Sequence, residues 1–268
     1  MAQVRTPAAY LSSLFSLAGR TAVITGASLG IGRSISLALG QSGARVILIA
    51  RRHGPLSDTA KDLTDLGVDA TALPADVASE TSLNSAIDSI KSLLAAEGGC
   101  PDILVNAAGI NPRPPMGDIT KEAWDQTMAA NLTAPFLLGQ AFGPMMAASG
   151  RGGRIINIVS QQSFRAFGNS GAYGVSKGGL VSLTRSQAEA WSSAGVLCNA
   201  IAPGLVATDM TKAVFGDPVK AEKHAARTMI GRNGKPQDFE GVAVWLASRA
   251  SEAVTGQVIF VDGGYSAT

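Results

Sequence analysis

Thr25-Gly26-Ala27-Ser28-Leu29-Gly30-Ile31-Gly32 follows directly on a run of strand formers, Thr21–Thr25, and runs on into a helical pattern. Glycines between a strand and a helix let the backbone turn tightly, approach a pyrophosphate closely and pack the helix on the sheet. The first turn of such a helix has unpaired N–H groups and a positive dipole end, which suit a phosphate. The spacing is GxxxGxG rather than the commoner GxGxxG, and the glycines alone say little. Their position between strand and helix carries the reading, in which Gly26, Ser28, Leu29, Gly30 and Ile31 form a phosphate-binding turn.

Outward from that turn, short apolar runs alternate with longer helical patterns to the end of the chain. The expected strands are Thr21–Thr25, Val46–Ala50, Asp69–Leu73, Asp102–Asn106, Arg154–Val159, Val196–Ile201 and Val258–Asp262. Most are continuously apolar, as parallel strands covered on both faces should be. Ser79 reads as the N-cap of a helix carrying Leu83, Ile87, Ile90 and Leu94, and Thr120 as the cap of one carrying Trp124, Met128 and Leu132. Gly43 closes the first helix. The βαβα rhythm predicts an α/β fold, a single-domain, doubly wound parallel sheet of seven strands with helices on both faces. Residues 1–20 are expected to form an N-terminal arm and residues 21–268 the α/β domain. Within it, residues 207–236 hold no strand and are expected to form a lid over the ligand side of the sheet.

Composition excludes several functions. The 268 residues suffice for one large α/β domain but not two. With 46% hydrophobic residues, 16% charged residues and a net charge of +2, neither disorder nor nucleic-acid binding has a basis. No apolar run approaches a membrane span. The two cysteines, Cys100 and Cys198, are far apart and read as reduced thiols of a cytoplasmic protein. The two histidines, His53 and His224, have no partners at ligand spacing, so no metal is expected, and both read as surface or packing residues. Arg5 and the acid-free stretch Ala8–Ala18 faintly suggest a targeting segment, but Ser12, Ser13 and Ser16 interrupt it and an ordinary arm is the preferred reading.

The end of the second strand bears on the cofactor. A carboxylate there would bind the ribose hydroxyls of NAD(H); instead the chain reads Ile49-Ala50-Arg51-Arg52. Guanidinium groups bind a 2′-phosphate where a carboxylate would repel it. NADP(H) is therefore expected over NAD(H), with Arg51 the main contact and Arg52 beside it. The competing reading makes both arginines solvated loop charges.

With these features in place, the chain resembles the short-chain dehydrogenase/reductase family from about Phe15 onward. Besides the glycine turn, Asp76-Val77, Asn106-Ala107-Ala108-Gly109, Asn131, Ser160, Tyr173-Gly174-Val175-Ser176-Lys177 and Pro203-Gly204 stand in the family's order and spacing. Asn106-Ala107-Ala108-Gly109 departs slightly from the usual NNAG, and the resemblance implies Asn106, Ala107 and Gly109 as cofactor contacts. The resemblance implies a Rossmann fold and a hydride-transfer enzyme interconverting a ketone and a secondary alcohol. It implies Asn131, Ser160, Tyr173 and Lys177 as the catalytic residues. Tyr173 and Lys177 share one helix face, about 40° out of alignment. An ammonium held there should favour the phenolate of a tyrosine whose ordinary pKa is about 10. Ser160 would donate to the substrate oxygen. Pro135 lacks an N–H and crowds the carbonyl of Asn131, so a kink is expected that frees this carbonyl for a water. By resemblance that water relays protons to the lysine, and Lys177 also binds the nicotinamide ribose. Pro203, Gly204, Val206 and Thr208 resemble a nicotinamide clamp, and Asp76 with Val77 a contact to the adenine, though Asp76 as a loop cap is nearly as good a reading.

For the substrate, Gly109-Ile110-Asn111-Pro112-Arg113-Pro114-Pro115 and Gln161-Gln162 look most like gluconate 5-dehydrogenase-type members, which implies a sugar acid or polyol. Arg113, Gln161 and Met210 are the candidate substrate contacts, against a solvated loop role for Arg113. A 3-oxoacyl-carrier-protein reductase, a broad-specificity ketone reductase and a catalytically silent NADP-binding sensor stand as alternatives. Family members form homotetramers through the helices bearing the catalytic residues and through the C-terminal strand, here Gln257–Tyr265.

Overall fold

The computed structural model describes residues 6–96 and 99–267. Seven strands, β1 (Thr21–Thr25), β2 (Arg45–Ala50), β3 (Ala70–Pro74), β4 (Ile103–Asn106), β5 (Gly153–Ile158), β6 (Val196–Pro203) and β7 (Val258–Val261), form one sheet. Its order is β3-β2-β1-β4-β5-β6-β7, and every pairing is parallel. The expected strands are all found, with ends displaced by at most two residues. The largest extension is β6, which runs on to Pro203; the missing N–H of a proline costs little at a strand's last position.

The helices are α1 (Pro7–Phe15), α2 (Gly30–Gln41), α3 (His53–Asp65), α4 (Glu80–Ala95), α5 (Lys121–Met128), α6 (Ala134–Ala148), α7 (Gly171–Trp191), α8 (Lys212–Phe215), α9 (Pro218–Ala225) and α10 (Glu240–Ala247). Successive strand residues point to opposite faces, and both faces are apolar because both are covered. Ile24, Leu48, Val105 and Ile156 pack with Ile35 and Leu39 of α2, Leu63 of α3 and Leu246 of α10. Their neighbours Val23, Ile47, Leu104 and Ile155 pack with Leu83 and Ile90 of α4 and Leu138 and Phe142 of α6. Each such fully buried side chain contributes about 1.5–3 kcal/mol.

The expected caps form: Ser79 accepts from the Ser82 amide at 3.4 Å and Thr120 from the Ala123 amide at 3.1 Å. Gly43, at φ +105°, follows the end of α2. The arm holds α1, capped by Thr6 and with no buried residue; Arg5 lies outside the described residues. Strand order reverses between β1 and β4, so the turn after β1 and the loop after β4 flank a crevice at the strands' carboxyl ends, where ligands of such sheets bind. Beyond β6 the chain leaves the sheet, forms α8 and α9, and is pinned at its base by a bridge between Val206 and Gly234. Among the described residues, no helix is long and apolar enough to cross a membrane.

Candidate active site

The crevice opens into a cleft of about 880 Å³ whose lining runs from the glycine turn to α9. At one end, Gly26 and Gly30 take φ +69° and +57°, a backbone region that favours glycine. A Cβ on Gly26 would stand 2.8 Å from the Ala107 carbonyl carbon, and one on Gly32 2.3 Å from the Gly26 carbonyl oxygen. Leu29, the N-cap of α2, makes no side-chain cap, so the first amides of this twelve-residue helix face the cleft without a side-chain acceptor. Glycine-tight backbone and uncapped amides together fit a pyrophosphate.

The β2 end presents Arg51 and Arg52, both exposed and both lining the cleft. Arg51 lies 3.7 Å from Asp76, and Arg52 lies 3.2 Å from Asp209 at the start of the segment after β6. Exposed pairs of this kind hold their partners weakly, so both guanidinium groups remain available to a phosphate. Asp76 also accepts from the Ala78 amide at 3.0 Å, which is the loop-cap reading of this residue. Val77, Ala107, Gly109, Pro203, Gly204, Val206 and Thr208 line the same cleft. Thr208 sits against the turn, its Cγ2 3.1 Å from where a Cβ on Gly30 would be.

Asn106 is placed differently from expectation. Its side chain turns away from the cleft and donates to Asn157 Oδ1 at 2.8 Å, and Asn157 in turn donates to Thr184 and Gln187 of α7. Burial on all sides selects an amide that pairs with other amides, so Asn106 ties β4 to β5. The residue that shapes the loop after β4 is Thr25, absent from the expected set. Its hydroxyl accepts from both the Ala107 and Ala108 amides at 3.1 Å.

At the other end of the cleft, Ser160, Tyr173 and Lys177 converge from β5 and α7. The Ser160 hydroxyl accepts from the Gln162 amide at 3.1 Å and favours the ionised form of the neighbouring Tyr173 phenol. Lys177 Nζ lies 5.9 Å from the phenol ring centroid and donates to the Ile158 carbonyl at 2.7 Å. Burial pushes the Lys177 ammonium down to about 8. Burial also raises the Tyr173 phenol above its ordinary value, while the Ser160 hydroxyl and the Arg113 cation pull it back. The expected lowering by Lys177 thus gives way to a raised phenol, because removal from water outweighs the protein's own cations.

Asn131 is buried in a π-turn, Ala129–Thr133, between α5 and α6. The expected kink takes this form: the Ala134 amide bonds back five residues to Ala129, and Pro135 enters α6 with no N–H to place. The Asn131 side chain accepts from the Ile110 amide at 2.8 Å and donates to the Ile110 carbonyl at 2.9 Å and to Ser176 at 3.0 Å. It fixes the loop after β4 against α7 and does not line the cleft.

Arg113 lines the cleft with φ +58°, a conformation that costs a non-glycine residue about 1–3 kcal/mol. Its Nε is buried without a hydrogen-bond partner, and its charge reaches the Tyr173 phenol. The buried Nε sets it apart from a fully solvated loop arginine. Gln161 is buried and Met210 exposed on the cleft rim. His224, read from the sequence as surface or packing, instead reaches the cleft from α9 and stacks on Tyr265 with ring centroids 4.5 Å apart. A lone histidine in an irregular segment carries no spacing signal that could have placed it there.

A family model described as enoyl-(acyl carrier protein) reductase matches residues 26–266. The chain is 38% identical over 251 residues to the gluconate 5-dehydrogenase of Gluconobacter oxydans (strain 621H), covering 94% of this chain and 96% of that one. It is 37% identical to the 2-dehydro-3-deoxy-D-gluconate 5-dehydrogenase of Escherichia coli (strain K12), covering 95% and 98%. The crystal structure of a gluconate 5-dehydrogenase from Burkholderia cenocepacia J2315, in complex with NADP and tartrate, superposes with a TM-score of 0.89 at 35% identity, covering 96% and 99%.

Proposed function

The chain belongs to the short-chain dehydrogenase/reductase family, and from that premise we propose that it interconverts a keto sugar acid and its secondary alcohol at the cleft between the glycine turn and α9. It is an oxidoreductase of the CH–OH group, and its cofactor is NADP(H). The observation that carries the substrate class is Arg113: a strained, partly buried guanidinium beside the phenol, with an Nε left for an acceptor. Among the described residues, the carboxylates lining the cleft, Asp76 and Asp209, both stand beside arginines at the cofactor end, away from Arg113 and the phenol. The kinship to enzymes of gluconate and deoxygluconate chemistry supports the same reading.

Bound NADPH supplies the hydride, and NADP takes one back in the reverse direction. The protein's residues handle the proton and the oxygen. Ser160 and Tyr173 both donate to the substrate carbonyl oxygen, and the Tyr173 proton passes to it as alkoxide character develops. Lys177 stabilises the phenolate left behind and holds the nicotinamide ribose. The Asn131 carbonyl, which Pro135 cannot bond, holds a water that returns the proton. Gly26, Ser28, Leu29, Gly30 and Ile31 hold the pyrophosphate, Arg51 and Arg52 the 2′-phosphate, Asp76 and Val77 the adenine. Ala107, Gly109, Pro203, Gly204, Val206 and Thr208 enclose the nicotinamide end. Residues 207–236 form the lid, and Arg113, Gln161 and Met210 meet the substrate.

The enzyme is further read as a cytoplasmic homotetramer. Exposed apolar side chains on the catalytic helices and last strand, Phe136, Val175 and Phe260, support the assembly, and the free thiols Cys100 and Cys198 the compartment.

Steady-state kinetics with NADPH and 5-keto-D-gluconate test the substrate reading. Arg113→Met should raise KM about 10- to 100-fold, the worth of a charge-assisted hydrogen bond, while an uncharged ketone is unaffected. An unchanged KM for the acid would rule Arg113 out as its anchor.

A further inference from the structure

Gln161 follows the catalytic serine, lines the cleft, and is only 4% exposed. Its Nε2 lies 3.3 Å from His224 Nε2. Its Oε1 is buried with no hydrogen-bond partner. Which end of this amide faces the histidine follows from a chain of hydrogen bonds anchored on backbone. Asn233 Nδ2 donates to the Ala221 carbonyl at 2.9 Å, and a carbonyl can only accept. Asn233 Oδ1 therefore faces His224 Nδ1, 2.9 Å away, and Nδ1 must carry the proton. Burial holds the His224 imidazole below its ordinary value, and in the neutral ring Nε2 is a lone-pair acceptor to which Gln161 offers the N–H. The Gln161 carbonyl oxygen is left over, fixed in polarity and unpaired, on the residue that follows Ser160.

We propose that Gln161 is a specificity-determining residue whose side-chain oxygen accepts a hydrogen bond from a substrate hydroxyl, and that His224 is the positioning residue that imposes this polarity. A hydroxyl repays the buried oxygen; a methylene or a second acceptor leaves it unpaired, so hydroxylated substrates are selected over deoxygenated ones. The relay also joins the segment after β6 to the cleft floor: Ala221 and His224 belong to α9, Asn233 to the return of that segment, and Gln161 to the loop after β5. Stacking of His224 on Tyr265, with planes 11° apart, holds the ring in register. The inference rests on the sugar-acid reading, since that substrate class supplies the hydroxyls.

Two measurements test it. The chain has two histidines, and His53 is exposed on α3. Nitrogen-15 NMR of the whole protein at about pH 8, where an ordinary histidine is neutral, with His53→Ala for assignment, should find His224 as the Nδ1–H tautomer. The Nε2–H tautomer would overturn the relay. Kinetics with NADPH then compare 5-keto-D-gluconate with 5-oxohexanoate, a keto acid of the same length without hydroxyls. Gln161→Met should lower kcat/KM for 5-keto-D-gluconate about 10- to 100-fold and leave 5-oxohexanoate within about twofold. His224→Phe keeps the stacking ring but frees the amide to turn. It should raise KM for 5-keto-D-gluconate with kcat held, and His224→Gln, which restores an acceptor, should recover part of the loss. Equal losses on both substrates, or no loss on 5-keto-D-gluconate, would overturn the proposal while leaving the sugar-acid reading intact. Wild-type turnover of 5-oxohexanoate but not of 5-keto-D-gluconate would sink that reading and the hydroxyl acceptor with it.

Discussion

Arg51 and Arg52 each stand near a carboxylate in this structure, yet at side-chain exposures of 61% and 57% these pairs are worth about 0–1 kcal/mol. A dianionic 2′-phosphate outcompetes such partners through bidentate hydrogen bonds. Arg51→Asp should therefore shift the NADPH/NADH ratio of kcat/KM toward NADH by at least about tenfold; an unchanged ratio would remove Arg51 from the cofactor site. That Ser160, Tyr173 and Lys177 meet at one end of the cleft was legible because their spacing is rigid: four along a helix for Tyr173 and Lys177, and the end of a strand for Ser160. Asn106 misled, since its motif gave a place on β4 but not the side of the strand its amide would turn to. Thr25 and His224 left no trace, because a lone hydroxyl or imidazole has no period to read.

At the scale of elements, continuous apolar runs gave most of the strands, since both faces of the sheet are covered and neighbouring residues serve opposite cores. Pro135 announced a disturbed helix, but not its form, a π-turn over Ala129–Thr133. Residues 207–236 showed as the lack of a strand, while α8 and α9 are too short to give a clear period. Apolar side chains left exposed on α6, α7 and β7 support the assembly proposed for these elements. Sedimentation of the wild type should report four chains, and Phe136→Glu with Val175→Glu should yield smaller species; a monomeric wild type would contradict the tetramer.

For the whole molecule, the site is held at a cost in stability. Lys177 is buried and its ammonium pushed down from 10.5 to about 8. Below about pH 8 the folded protein carries a charge it would rather shed, while the unfolded chain keeps its proton up to about pH 10.5. The unfolded state therefore binds more protons in that window, and stability rises with pH across it. The penalty at neutral pH is about 3 kcal/mol. Lys177→Met should raise Tm at pH 7 despite stranding the Ile158 carbonyl, and its advantage should shrink as pH approaches 10; a lower Tm at pH 7 would show that the carbonyl bond outweighs the buried charge. A buried cation kept at the phenol end of the cleft supports the role proposed for Lys177. The most direct test of the account is NADPH consumption with 5-keto-D-gluconate by the wild type and by Tyr173→Phe, with NADPH binding measured in both. The wild type should turn over and Tyr173→Phe should bind NADPH as tightly yet be slowed by at least about a thousandfold. Substantial turnover without the phenol would contradict the assignment of Tyr173 as the proton donor.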